Sequence, residues 1–146
     1  MAVRNLGRTL VIANPTAHSG RGAQAAERVR RFFESYDSVT TSYKHRLTTA
    51  PGDGESMARS AAGFDTVIAL GGDGIIHEVV NGLMQIDSES RPALAIVPMG
   101  SGNDFARTLN ATFNDPEASL REILEGSPRT IELGHVESDV SASAYF

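Results

Sequence analysis

The sequence predicts an α/β domain, a Rossmann-like three-layer fold with a mainly parallel sheet and helices on both faces. Three observations carry that expectation. Short aliphatic runs such as Thr66 to Leu70 and Ala93 to Val97 are apolar enough to be covered on both faces, as strands of a parallel sheet are. Segments with helical apolar spacing alternate with these runs, which is the pattern of right-handed strand–helix–strand units. Polar, glycine-bearing turns follow the strands directly, where ligands sit in sheets of this kind.

In chain order, Thr9 to Ala13 is short, apolar and β-branched and is closed by Asn14-Pro15, so it reads as the first strand. After a loop to Gly22, Ala26, Val29 and Phe33 mark one face of a helix that begins near Ala23 and ends near Tyr36. Arg28, Arg30 and Arg31 spread around its solvated side. Val39 to Leu47 alternates loosely as a second strand, and Pro51-Gly52-Asp53-Gly54 is a turn. Glu55 to Ala62 is a small-residue helix and Thr66 to Leu70 the third strand. Beyond Gly74, Ile75, Val79 and Leu83 lie four apart, as do Ile76, Val80 and Met84, giving a helix with one wide apolar stripe. Ala93 to Val97 is the fourth strand, and Phe105 to Leu109 a short helix capped by Ser101, Asn103 or Asp104. Asp115 is an N-cap with Pro116 at the first helical position, Leu120, Ile123 and Leu124 the buried face, and Gly126 the C-cap. Thr130 to Val136 is a fifth strand, and Ala142 to Phe146 begins another.

The 146 residues, 40% of them hydrophobic, suffice for the core of one domain. Thirteen Lys and Arg against eighteen Asp and Glu give a net charge of −5, which argues against nucleic acid as a partner. The absence of cysteine excludes disulfides, thiolate metal sites and cysteine nucleophiles. With no signal peptide and no apolar run of bilayer length, the expected location is cytoplasmic.

The chemistry concentrates in Gly71-Gly72-Asp73-Gly74, set between a buried strand and a helix. Glycines allow close backbone approach, and a helix N-terminus offers unpaired N–H groups and the positive end of its dipole to phosphate. Asp73 needs a cation or a proton to make sense beside an anion. Gly100-Ser101-Gly102-Asn103-Asp104 repeats the design after the next strand, where Asn103 and Asp104 offer hydrogen bonds to a ribose, a base or an acceptor alcohol. Gly20 to Ala25 matches a dinucleotide fingerprint formally, but its glycines stand away from the strand and the second strand ends in His45-Arg46 rather than an acid. His18, His45, His77 and His135 lack metal-ligand spacing.

Four motifs in order then carry a resemblance across essentially the entire chain: Asn14-Pro15 with Ser19-Gly20-Arg21-Gly22, Thr48 ahead of Pro51-Gly52-Asp53, Gly71 to Gly74 with Glu78-Val79-Val80-Asn81-Gly82, and Pro98-Met99-Gly100-Ser101-Gly102-Asn103-Asp104-Phe105-Ala106-Arg107. The sequence resembles the diacylglycerol kinase catalytic domain, in particular bacterial lipid kinases of the YegS and DgkB type. The resemblance implies transfer of the ATP γ-phosphoryl group to a lipid alcohol at the membrane surface, with Mg²⁺. It places Asn14 and Thr48 on the nucleotide, Gly71, Gly72, Asp73 and Gly74 along the triphosphate, Gly100 and Ser101 near the phosphates, and Glu78 as a brace of the loop. Asn103 and Asp104 would meet the acceptor or ribose. Asp73 would be the catalytic residue, acting on Mg²⁺, directly or through water, or taking the alcohol proton. Two positions depart from the family pattern: Ile75 stands where a threonine is usual, and Ser101 replaces a threonine but keeps its hydroxyl.

The resemblance further implies that residues 1–140 form the nucleotide-binding N-terminal domain and 141–146 the start of a crossover into a missing β-rich C-terminal domain, so that the chain alone is expected to be inactive. Contact with the membrane would be peripheral, and a homo-oligomer stays open. The alternatives are a kinase with a soluble acceptor such as NAD, and a non-catalytic nucleotide-binding module for which Ile75 is the sequence support.

Overall fold

The computed structural model describes residues 4–136 and 144–145. Four strands, β1 (Arg8–Ala13), β2 (Ser42–Leu47), β3 (Thr66–Gly71) and β4 (Ala93–Pro98), form one all-parallel sheet in the order β2-β1-β3-β4. The register aligns Val11 with both His45 and Ile68, and Ile68 with Ala95. The chain steps outward from β1 to β2, then crosses back to β3. That reversal opens a crevice at the carboxyl ends of β1 and β3.

Alternation along the strands divides the core into two apolar layers. Val11, Ala13, Ile68, Leu70 and Val97 face α1 (Ala17–Ser35) and α5 (Pro116–Glu125), meeting Ala25, Val29, Phe33, Leu120 and Leu124. Leu10, Ile12, Val67, Ala69 and Ile96 face the other way, onto α2 (Asp53–Arg59) and α3 (Asp73–Leu83), meeting Ala58, Ile75, Ile76, Val79 and Leu83. The wide apolar stripe expected after Gly74 is therefore the buried face of α3. Gly82, on the same helix, lets α2 and α3 approach closely, since a Cβ there would stand 2.6 Å from the Ala58 methyl and 2.9 Å from the Arg59 nitrogen.

The structure amends several boundaries. The segment before Ala23 is already helical from Ala17, but His18, Ser19 and Gly20 have φ of 50°, 58° and 89°, one left-handed turn ahead of the regular helix. Residues 37–39 form a 3-10 turn, so β2 starts at Ser42 and not at Val39. The helix expected over Glu55 to Ala62 begins at Asp53 and ends at Arg59. The short helix α4 spans Asp104–Thr108. Of Thr130 to Val136 only β5 (His135–Val136) is extended, and it pairs antiparallel with β6 (Ala144–Tyr145) in a ladder apart from the main sheet. The rest of the expected strand at Ala142 to Phe146, and most of the 141–146 crossover, lies outside the described residues. Asp115 caps α5 as expected, its side chain accepting from the Ala118 N–H at 3.1 Å. Three arginines of α1 are ion-paired: Arg28 with Glu117, Arg30 with Glu27 and Glu34, and Arg31 with Glu27.

Candidate functional site

The carboxyl ends of β1, β3 and β4 bring the three glycine-bearing segments to one edge. The Asn14 N–H donates to the Leu70 carbonyl at 3.0 Å, which ties the loop after β1 to the end of β3. Thr48, just past β2, is buried and donates its N–H to the Ala13 carbonyl at 2.9 Å. Asn14 and Thr48 thus flank the end of one strand. The Asn14 Oδ1 accepts from the Thr16 N–H and hydroxyl, at 3.1 and 2.9 Å, and stiffens the turn that follows.

Gly71 has φ of 148°, a region that side-chain-bearing residues rarely enter, and a Cβ there would meet the Ile75 side chain. Gly72 then starts α3 with extended backbone and no side-chain cap. The first N–H groups of α3 consequently face outward as a helix N-terminus, next to Gly74, which is exposed and has no atom within 4 Å of its Cβ position. The second turn lies directly against the first: a Cβ on Gly100 would stand 2.7 Å from the Gly72 Cα. Ser101 is exposed at its tip, whereas Asn103 is buried, 1% exposed, with φ of 54°. The Asn103 Nδ2 donates to the Gly100 carbonyl at 2.8 Å, and its buried Oδ1 has no partner. Of the two candidates for an acceptor or ribose contact, Asp104 is the exposed one.

Asp73 links the two turns. One carboxylate oxygen accepts the Asp104 N–H at 2.9 Å and the other the Phe105 N–H at 3.0 Å. The cap of α4 is therefore an acid thirty-one residues upstream and not Ser101, Asn103 or Asp104, because Asn103 is turned inward by its left-handed backbone. Its partner across the turn is Asp104. A Cβ on Gly102 would lie 3.5 Å from a carboxylate oxygen of Asp73 and 3.7 Å from one of Asp104, so the two acids flank a common point.

Glu78 faces another loop. It accepts the Gly52 N–H and so braces the turn that starts α2 rather than the Gly71 to Gly74 segment itself. Asp53 closes the same turn from inside, accepting from the Thr49 N–H and hydroxyl and the Ala50 N–H at 2.7, 2.9 and 3.0 Å. Those donors, led by the Thr49 N–H, hold its carboxyl below the usual carboxylate range. Ile75 is 3% exposed, and its methyl groups fill the space beside Gly54 and Gly71. Its side chain is a core wall between two turns.

Mg²⁺ binds proteins through one or two carboxylates together with waters and substrate phosphates. Asp73 and Asp104 fit that pattern, since each N–H bond to Asp73 leaves oxygen lone pairs over. Among the described residues no group of three or more acids or histidines could hold a metal unaided.

Residues 8–136 match the family of the diacylglycerol kinase catalytic domain. The chain belongs to that family. It is 37% identical over 131 residues to a diacylglycerol kinase of Bacillus subtilis, covering 88% of this chain and 42% of that protein. Over 96 residues it is 49% identical to a protein of Chromohalobacter salexigens named as a YegS-like lipid kinase, covering 64% and 30% of the two chains. The crystal structure of a diacylglycerol kinase from Bacillus anthracis superposes with a TM-score of 0.67 at 28% identity, covering 81% of this chain and 41% of that one. The chain thus spans less than half the length of these relatives. No helix of the described residues is long and apolar enough to cross a membrane. Kinase family membership agrees with the resemblance read from the motifs, and the parallel sheet with the expected fold class.

Three features of the site lie outside the four motifs or were hidden within them: Asp73 as the cap of α4, the grip of Asn114 on Gly100, and the contact between Arg107 and Phe113. Each joins residues across a turn and leaves no periodic trace in the sequence.

Proposed function

We propose that this chain is the ATP-binding half of a lipid kinase that transfers the γ-phosphoryl group to the hydroxyl of a lipid alcohol such as diacylglycerol. The observation that carries the reading is Asp73, fixed by two N–H bonds between two glycine turns at the carboxyl edge of the sheet. The uncapped N-terminus of α3 supplies N–H groups for the phosphates, with exposed Gly74 leaving room for them and Gly71, Gly72, Gly100 and Ser101 forming the turns around it. Asn14 and Thr48 stand at the adjoining strand end for the nucleoside, and Glu78 holds the neighbouring turn. In the transfer a bond forms between the acceptor oxygen and the γ-phosphorus, the bridging bond to the β-phosphate breaks, and the alcohol proton leaves. Asp73 and Asp104 would hold Mg²⁺, which would supply neutralisation of the phosphate charge. The chain's own part is positioning: it holds a carboxylate and a row of N–H donors in fixed relation.

The share of the relatives that this chain covers supports a further element, that a second segment completes the lipid site and that the 146 residues do not phosphorylate lipid alone. Peripheral contact with a membrane follows from the acceptor. The position of Ile75 in the core weakens the non-catalytic alternative, because its side chain serves packing between Gly54 and Gly71.

The test is phosphoryl transfer from ATP to diacylglycerol in mixed micelles, by the intact protein and by the 146 residues alone. Intact protein with Asp73→Asn is expected to lose at least about 100-fold in kcat, the scale seen when a preorganised charge-stabilising group is removed. A Mg²⁺ titration separates its two roles: a metal-linked Asp73 raises the Mg²⁺ requirement in the variant, and a proton acceptor lowers kcat without moving it. Absence of transfer by the intact wild-type protein defeats the kinase reading, wild-type turnover in Asp73→Asn defeats the role given to Asp73, and lipid phosphorylation by the 146 residues defeats their incompleteness.

A further inference from the structure

Arg107 is exposed, yet its guanidinium is held by one N–H and by its face. Its Nε–H donates to the Gly102 carbonyl at 2.9 Å, and its Cζ lies 4.6 Å from the centroid of the Phe113 ring, within the range of a cation–π contact. A planar guanidinium can stack and donate at once, which an ammonium cannot do in the same way.

The residue after Phe113 grips the other end of the same turn. Asn114 accepts the Gly100 N–H at 3.1 Å and donates to the Gly100 carbonyl at 3.2 Å, so one side-chain amide pairs with both polar groups of a single residue. Its own N–H donates to the Pro98 carbonyl at 2.7 Å. Its φ of 59° is in the left-handed region, which asparagine enters more readily than most residues and which aims the side chain back at the turn. Gly100 and Gly102 are thus held from one short segment, by Asn114 directly and by Phe113 through Arg107.

Just beyond those two anchors emerge the N–H groups of Asp104 and Phe105 that hold Asp73. The helix they begin is only five residues long and has no cap of its own. Any slip of the turn relative to α3 would carry both donors away from the carboxylate. Ser101 and Gly102 are exposed, and among the described residues the turn's remaining side-chain bond is that of the inward Asn103 amide to Gly100.

We propose that Arg107, Phe113 and Asn114 form a brace that sets where the Asp73 carboxylate stands, making them positioning residues for phosphoryl transfer. The inference rests on the kinase reading above. It predicts a specific kinetic signature, because a carboxylate displaced by a fraction of an ångström still lets the nucleotide bind at the α3 N-terminus but misaligns the transfer.

The experiment is steady-state kinetics of the intact protein with ATP, Mg²⁺ and diacylglycerol, on Arg107→Gln, Asn114→Asp, Phe113→Leu and Phe113→Tyr, with a thermal melt of each. Arg107→Gln and Asn114→Asp are expected to lower kcat by about 10- to 100-fold while the KM for ATP moves by less than about threefold. Phe113→Leu follows in the same direction by a smaller factor, and Phe113→Tyr, which keeps the ring face, retains wild-type kcat. Asp73→Glu shifts the same carboxylate by one methylene, and combining it with Arg107→Gln should cost less than the product of the two single losses. Unchanged kcat in folded Arg107→Gln and Asn114→Asp overturns the brace. So does a rise in KM alone, or equal losses in Phe113→Leu and Phe113→Tyr. Should Arg107→Gln or Asn114→Asp fail to fold, the Phe113 pair decides. Failure of the kinase reading is distinguishable, since it appears as no phosphoryl transfer to diacylglycerol by the intact wild-type protein.

Discussion

The two glycine turns at the sheet edge look alike in sequence and are held by opposite means. The turn at Gly71 to Gly74 is fixed by packing: Ile75 fills the space next to Gly71 and Gly54, and the Gly72 Cα sits against Gly100. The turn at Gly100 to Asp104 is fixed by polar side chains, its own Asn103 and, from outside it, Asn114, Arg107 and Asp73. An apolar wall tolerates little change of volume but needs no alignment, whereas hydrogen bonds fix direction as well as distance. The first arrangement suits a rigid helix N-terminus facing phosphate. The second suits a part whose donors must meet one carboxylate.

The point where the turns touch is where the comparison can be broken most severely. Gly100→Ala would place a methyl 2.7 Å from the Gly72 Cα and 3.1 Å from the Asn103 Oδ1, and the former is backbone that has no room to move. Separating the turns is expected to cost roughly 1–3 kcal/mol of stability, as overpacking of a tight contact does, and to abolish nucleotide binding. Denaturant melts and a titration with a fluorescent ATP analogue check both effects. Wild-type affinity in that variant would show the turns to be independent.

Ile75→Thr tests the packed turn by itself. The variant restores the hydroxyl usual in the family, but at a site 3% exposed it removes apolar volume and buries a polar group. A loss of about 1–3 kcal/mol in denaturant unfolding is expected, with little change in the KM for ATP. A tighter KM with undiminished stability would mean that the position addresses phosphate after all.

That contrast also explains what the sequence disclosed. β3, α3 and α5 were legible because burial imposes a local period: Thr66 to Leu70 is buried throughout, Ile75, Ile76, Val79 and Leu83 share a face, and Asp115-Pro116 is a self-contained cap. The convergence of three loops followed from strand alternation alone. The left-handed turn at His18 to Gly20 was not legible, because non-glycine residues enter that region only when their surroundings require it. Nor was the cap of α4, because its acceptor stands thirty-one residues away and not at the neighbouring Ser101, Asn103 or Asp104. The fifth strand failed for a similar reason, since Thr130 to Leu133 has strand-like composition but no partner strand in the described residues to pair with. Asn114 belongs to no motif or periodic segment, and its bonds to Gly100 emerge only from the fold.

The smallest effect comes from a polar group held by packing alone, away from both turns. His45 on β2 lies between the Phe33 and Tyr43 rings, with centroids 6.3 and 5.5 Å away, and its Nε2 is buried without a partner. Burial, reinforced by Arg30, pushes its pKa below the usual histidine value, against weaker opposition from Glu27 and Glu34. The unfolded chain therefore takes up the proton first as pH falls. Above about pH 6.5 both states are neutral and the group contributes nothing to the pH dependence; below it the folded state loses stability until its own lower pKa is reached. Comparing denaturant midpoints at pH 7.5 and 5.5, wild type is expected to fall further than His45→Phe, by a modest fraction because the ring is only half buried. Both proteins should bind the ATP analogue alike at pH 7.5, since the site's two turns make no contact with this aromatic cluster that either holding mechanism uses. A matching loss of affinity in His45→Phe would mean that the β2 side of the sheet, and not the two turns alone, sets the geometry of the site.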